Sequence, residues 1–122
     1  MKSTKKLGIW MDYSSANLID PDYNTNQVIR SEFSPIVKEK ALEKGEKHMH
    51  TKEQQMHEMY FTELADEISK YDDVLLFGPT DAKLELHNYL TKKEHFKHIK
   101  MDIISTDKLT QNQKEAFVKK HF

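Results

Sequence analysis

Short apolar runs separated by turn-forming residues dominate the first 33 positions of the chain. Residues 7–12 and 16–20 are mainly apolar and are joined by Tyr13-Ser14-Ser15, a pattern typical of a β-hairpin. Residues 21–26 are rich in Pro, Asp and Asn, which favour turns, and residues 27–33 form a further apolar-rich run. The pattern predicts that three antiparallel strands open the domain.

Residues 34–52 are polar and rich in lysine, contain Gly45 and lack apolar periodicity, and we predict a mobile loop there. From residue 52 to residue 71 apolar side chains recur at spacings of three and four, which predicts an amphipathic helix. The residues of this apolar stripe are Met56, Met59, Tyr60, Leu64, Ile68 and Tyr71.

Residues 73–78 form a continuous apolar run, as in a strand that is buried on both faces and lies centrally in a sheet. We place Pro79 in the first turn of the next helix, whose predicted buried positions are Ala82, Leu86, Tyr89 and Leu90. Residues 99–105 predict another strand. Thr110 followed by Gln113 matches a capping box, so a last helix should follow, with Ala116, Phe117 and Phe122 facing inward. The element order predicts one α/β domain over residues 1–122, a mixed sheet with helices packed on it.

Composition narrows the possible functions. The 122 residues suit a single core, and the chain has no cysteine, which excludes disulfides and thiol chemistry and favours a reducing compartment. We find no signal-peptide or membrane-spanning pattern, so we predict a cytoplasmic protein without membrane contact. The net charge is −1, and any RNA contact must therefore be a local patch.

The turn between the fourth predicted strand and the next helix is a candidate ligand site, because strand C-termini and helix N-termini often bind anions in α/β proteins. A single glycine cannot make a phosphate loop, and Asp81 would repel a phosphate, so a plain turn and helix cap is the stronger interpretation. The residues of this strand-helix turn are Gly78, Pro79, Thr80, Asp81 and Lys83.

Catalytic chemistry finds little support in the sequence. Four strand-associated carboxylates, those of Asp12, Asp20, Asp102 and Asp107, could serve a two-metal nuclease only if they converge, and acids at strand ends are mostly turn formers. His48, His50 and His57 could share a metal ion, since His-x-His can present two rings to one ion, but no third ligand lies at a typical zinc spacing. No nucleophile-elbow motif occurs. We predict no catalytic residue, no cofactor and no metal.

The lysine-rich segment is the best local candidate for contact with a phosphate backbone, which requires only accessible cations. Its lysines alternate with glutamates, so its net field is small. The candidate RNA-binding residues are Lys38, Lys40, Lys44, Lys47, His48, His50 and Lys52.

The segment Phe77-Gly78-Pro79-Thr80-Asp81-Ala82-Lys83, followed by a strand and then residues 106–113, resembles the central domain of archaeal and eukaryotic class 1 release factors and of Pelota. It is also similar to small bacterial relatives of that domain, including host attachment proteins. The resemblance spans nearly the whole chain and implies a ribonuclease-H-like topology and contact with the ribosome or RNA. In release factors a Gly-Gly-Gln tripeptide precedes the first helix, whereas residues 43–48 here are Glu-Lys-Gly-Glu-Lys-His.

Without that tripeptide we do not transfer peptide release. The leading hypothesis is a non-enzymatic accessory protein that binds the ribosome or structured RNA through the loop at about residues 34–52. A metal-dependent nuclease using strand carboxylates is one alternative. The other is a protein-binding or self-associating module that uses an exposed sheet edge, which would make a homo-oligomer.

Overall fold

In the described part of the chain, three strands come first and are followed by helix, strand, helix, strand and helix, the order that the apolar pattern predicts. The structure, a computed structural model, describes residues 4–23, 25–31, 39–40 and 42–122. The strands are β1 (Lys6–Met11), β2 (Ser15–Asp20), β3 (Thr25–Arg30), β4 (Asp73–Gly78) and β5 (Lys100–Ser105), and the helices are α1 (Glu46–Ile68), α2 (Ala82–Thr91) and α3 (Gln111–His121), with a 3-10 turn at Glu94–Phe96. The fold is α/β, as predicted.

The strands form one mixed sheet in the order β3-β2-β1-β4-β5. β1, β2 and β3 pair antiparallel, whereas β4 is parallel to both β1 and β5. β1, β4 and β5 therefore all end at the same side of the sheet, called here the C-terminal end, and begin at the opposite side, the N-terminal end. Strand β4 is an interior strand and is buried on both faces, as its apolar run predicts.

Two apolar cores lie on opposite faces of the sheet, because side chains alternate along each strand. On one face, Leu7, Ile9 and Met11 of β1 pack with α1 and α2. On the other face Trp10 packs with Phe77 and with Val118 of α3. The close approach of α3 depends on Gly8, where an added Cβ atom would lie 2.2 Å from a methyl carbon of Val118.

The prediction of a mobile loop is wrong over residues 46–52, because these residues form the first two turns of α1. Residues 39–40 and 42–43 are helical as well. Lys, Glu and Met are good helix formers, and the segment lacks apolar periodicity because Met49 alone is buried among the residues of the first turns whose burial is described. Residues 34–38 and 41 of the predicted loop lie outside the described part of the chain.

Smaller differences concern where elements begin and end. α1 ends at Ile68 rather than Tyr71, and β3 begins at Thr25 rather than residue 27. Pro79 precedes α2 instead of lying in its first turn, because Gly78 and the following turn come between strand and helix. In α3 the side chains of Lys114 and Val118 face the sheet. Ala116, which was predicted to face inward, is exposed, and Phe117 is half-buried against Phe77.

No helix in the described ranges is long and apolar enough to cross a lipid bilayer.

Candidate functional site

The strand-helix turn after β4 lies at the C-terminal end of the sheet and satisfies its own polar groups. Gly78 has a φ of 145°, and its Cα faces β1 so closely that a Cβ would lie 2.3 Å from the carbonyl oxygen of Met11. The Thr80 hydroxyl accepts a hydrogen bond from the backbone N–H of Ala82 at 3.3 Å, while Asp81 stands at the N-cap of α2 without a side-chain hydrogen bond to the helix. These contacts favour the turn-and-cap interpretation.

Lys83 belongs to this turn but does not face solvent. Only 2% of its surface is exposed, and its Nζ donates a hydrogen bond to the carbonyl oxygen of Thr80. A lysine held in this way stabilises the turn from inside, because its ammonium binds a backbone carbonyl that would otherwise lack a partner. Lys83 is therefore unable to reach an external phosphate.

An open groove between α1 and α2 adjoins the turn, and no sequence pattern predicts it. It consists of two adjoining cavities of about 540 Å3 and about 440 Å3. Tyr13, in the turn between β1 and β2, stacks on His57 of α1 with ring centroids 5.7 Å apart. Partial burial, a hydrogen bond with Glu85 and the charge of Asp81 raise the pKa of Tyr13 to about 12.

The charge of this groove does not suit a phosphate group. Glu53, Glu58 and Glu85 line it, and the only lysine among its lining residues is Lys92. A polyanion would meet more fixed negative than positive charge there. Three separate elements supply the lining, and no local sequence signal joins them, which is why sequence patterns could not identify the groove.

The four carboxylates considered for a nuclease do not converge. Asp12 accepts hydrogen bonds from the backbone N–H groups of Ser14 and Ser15 at 2.8 and 2.9 Å, and so closes the hairpin turn. Asp20 lies at the N-terminal end of the sheet, because β2 runs antiparallel to β1. Asp20 also accepts from backbone N–H groups, those of the turn after β2.

The two remaining carboxylates are also separated. Asp102 lies in the middle of β5, with its Oδ2 3.1 Å from Nε2 of His121, and Asp107 is exposed after that strand. Among the described residues no group of three or more His, Cys, Asp or Glu side chains could hold a metal ion. The described carboxylates therefore serve as turn, cap and pairing groups.

The N-terminal part of α1 extends beyond the sheet. Tyr60 Oη donates to the carbonyl oxygen of Asp12 at 3.0 Å, so residue 60 lies level with the C-terminal end of β1. The helix runs from there toward the N-terminal end, since the backbone N–H of Asp72 donates to Lys5 just after the helix. Residues 46–59, about 21 Å of helix, therefore lie past the C-terminal end of the strands.

Most of the predicted RNA-binding residues lie on or just before this projecting part of α1. Lys40, Lys44 and Lys47 are exposed and Lys52 is half-buried, and none of them forms an ion pair with a described residue. His50 is exposed and lies 3.7 Å from Glu46. Lys38 and the side chain of His48 lie outside the described residues. The structure thus places Lys47 and Lys52 at the same end of the sheet as the strand-helix turn.

The chain matches no protein-family model, and no curated protein is similar enough to indicate a relationship. The resemblance to release-factor central domains remains a prediction.

Proposed function

We propose that the protein is a non-enzymatic, cytoplasmic accessory protein of translation, which binds the ribosome or structured RNA through the projecting part of α1. The observation that carries the proposal is that Lys47 on α1, and Lys40 and Lys44 just before it in the chain, are exposed and form no ion pair with a described residue. Phosphate contacts require accessible cations rather than a shaped pocket, so this arrangement is sufficient for backbone binding.

Two further observations support this function. The strand order 3-2-1-4-5, with three antiparallel strands followed by parallel ones, is compatible with the ribonuclease-H-like topology that the resemblance implies. In addition, the carboxylates that a nuclease would need are engaged separately or exposed alone among the described residues. A scaffold that projects a contact helix fits these facts better than an enzyme does.

Co-sedimentation with ribosomes over a series of salt concentrations tests the proposal. The wild-type protein should sediment with ribosomes at low salt and dissociate as salt rises. A variant with Lys44, Lys47 and Lys52 all changed to Glu, called here the α1 variant, should bind on the order of tenfold or more weakly.

The matched control changes Lys5, Lys70 and Lys108 to Glu, which alters the net charge equally but leaves α1 free of substitutions. It should retain most of the binding. Equal losses in the two variants, or no co-sedimentation of the wild-type protein, would contradict the proposed function.

A further inference from the structure

A second cationic surface lies at the opposite, N-terminal end of the sheet. The end of α2, the 3-10 turn and the start of β5 lie there, and the last turn of α3 contacts the middle of β5. We call it the basic surface, and define it by Lys92, Lys93, Lys97, Lys100, Lys119 and Lys120.

The contact between β5 and α3 brings the two parts of the basic surface together. Lys100 and Asp102 are two residues apart in β5 and therefore point to the same face of the sheet. Asp102 Oδ2 lies 3.1 Å from Nε2 of His121, the last residue of α3. Lys119 and Lys120 belong to the same last turn of α3, which this contact brings to β5.

The connection between α2 and β5 is fixed by two buried apolar side chains. Phe96 and Ile99 are 8% and 7% exposed and belong to the larger core. Because they point inward, the alternating polar residues His95, Lys97 and His98 remain exposed. The rings of His95 and His98 lie 6.1 Å apart, nearly perpendicular to each other. The segment therefore presents a fixed cationic and aromatic surface.

The net charge of −1 conceals a strong asymmetry. Residues 92–102 and 118–122 contain six lysines and two carboxylates, a formal charge of +4, which leaves −5 on the rest of the chain. Of the two carboxylates, Glu94 lies 2.9 Å from Lys97 and offsets the charge of that lysine, whereas Asp102 contacts His121. The projecting part of α1 contains two lysines and three glutamates and therefore has no net positive charge.

Other carboxylates border the surface without neutralising its centre. Asp72 accepts a hydrogen bond from the backbone N–H of Lys5 at 3.0 Å. Asp73 lies in register with Lys100 and is half-buried, with one carboxylate oxygen fully enclosed. Within the surface itself, Lys93 lies 4.8 Å from the ring centroid of Tyr89 and keeps its charge accessible at the end of α2.

We propose that the basic surface binds the phosphate backbone of a single-stranded RNA, with the rings of His95 and His98 stacking on its bases. Clustered lysines attract a polyanion, and aromatic rings beside them provide the stacking contacts by which single strands are held. A lipid surface fits less well, because the two large apolar side chains of the segment, Phe96 and Ile99, are buried and cannot insert. This binding does not depend on contact through α1.

Fluorescence anisotropy with a labelled 20-nucleotide oligouridylate tests the proposal. Changing Lys93, Lys100 and Lys120 to Glu should weaken binding on the order of tenfold or more at low salt and reduce the slope of log affinity against log salt by about 2. The α1 variant, which has the same change in net charge, should lose less than about threefold. Circular dichroism and urea unfolding establish that both variants fold.

The two variants separate this proposal from the preceding one. Loss of oligouridylate binding in the basic-surface variant alone supports the inference, whatever the result with ribosomes. Equal losses in both variants, loss in the α1 variant alone, or no binding by the wild-type protein would overturn it. Binding to vesicles containing anionic phospholipid that equals the binding to oligouridylate would also overturn it, in favour of a membrane surface.

A second substitution tests the stacking contact. Changing His95 and His98 to Ala should weaken oligouridylate binding by about fivefold or more at neutral pH, because base-aromatic contacts are lost. The salt slope should stay the same, since the lysines that contact phosphate are unchanged. An unchanged affinity would remove the two histidines from the proposal.

Discussion

Gly78 and Gly45 both have backbone angles that suit glycine, with φ of 145° and 115°. Their surroundings differ. A Cβ atom on Gly78 would lie 2.3 Å from a carbonyl oxygen of the neighbouring strand, whereas a Cβ on Gly45 would meet nothing within 4 Å. Gly78 therefore serves both the turn after β4 and the pairing of β4 with β1, and Gly45 serves only the start of α1.

We predict that Gly78→Ala destabilises the protein more than Gly45→Ala. Backbone strain alone should cost about 1–3 kcal/mol of the free energy of unfolding at either position. At Gly78 the contact with the Met11 carbonyl adds a further cost of about 1–3 kcal/mol, because backbone must move. Urea unfolding at 25 °C measures both values, and equal stabilities of the two variants would contradict the steric argument.

Helix α3 shows how a local motif and a tertiary contact together determine one element. The Thr110 side chain accepts a hydrogen bond from the backbone N–H of Gln113 at 3.2 Å, and the Gln113 side chain accepts one from the backbone N–H of Thr110 at 2.9 Å. The sequence alone predicts this capping box. Which residues face the sheet depends on Gly8, against which Val118 packs.

We predict that Thr110→Ala lowers the free energy of unfolding by about 1 kcal/mol, because it leaves helix N–H groups without an acceptor. Asn112→Ala in the same turn is the control. Asn112 is exposed and takes no part in the capping box, so its replacement should change stability by less than about 0.5 kcal/mol. The midpoints of urea unfolding of the two variants measure this difference. Similar losses of stability in both variants would contradict a specific role for the cap.

Long-range contacts of tyrosine hydroxyls join the ends of strands to α1 and its flanking turn. Tyr71, just after α1, donates to Asp20 Oδ2 at the end of β2, a distance of 3.0 Å. Partial burial, together with the hydrogen bond to Asp20 and its negative charge, raises the pKa of Tyr71 from 10.0 to about 12. The folded protein thus retains a proton that the unfolded chain releases above about pH 10.

This difference predicts a dependence of stability on pH. The contribution of Tyr71 is complete below pH 10 and is lost as pH rises from about 10 to about 12, because only the unfolded chain releases its proton in that range. Tyr71→Phe should lower stability by about 1 kcal/mol at pH 8 and reduce the fall above pH 10. Tyr23→Phe, at a position that is 75% exposed and whose charge is the smallest of the causes that raise the pKa of Tyr71, is the control and should change the profile much less than Tyr71→Phe. Identical profiles for Tyr71→Phe and the wild-type protein would contradict the assignment.

Features that depend on neighbours in sequence were predictable from sequence. The run at residues 73–78 identifies β4 because burial on both faces requires continuous apolar side chains, and Thr110 with Gln113 identifies the start of α3 because a capping box is local. The turn at Gly78 was also predicted. The start of α1 was missed because exposed helical turns carry no apolar period.

Features that depend on distant residues required the tertiary structure. Pairing of β1 with β2 places Asp12 and Asp20 at opposite ends of the sheet, which separates carboxylates that the sequence could only list as candidates. Packing of α2 buries Lys83, and the contact between His121 and Asp102 brings the lysine-bearing last turn of α3 to β5. Sequence thus determined which elements form, since propensity and periodicity are local. Only folding decided which charges meet, because strand order and helix packing bring together residues far apart in the chain.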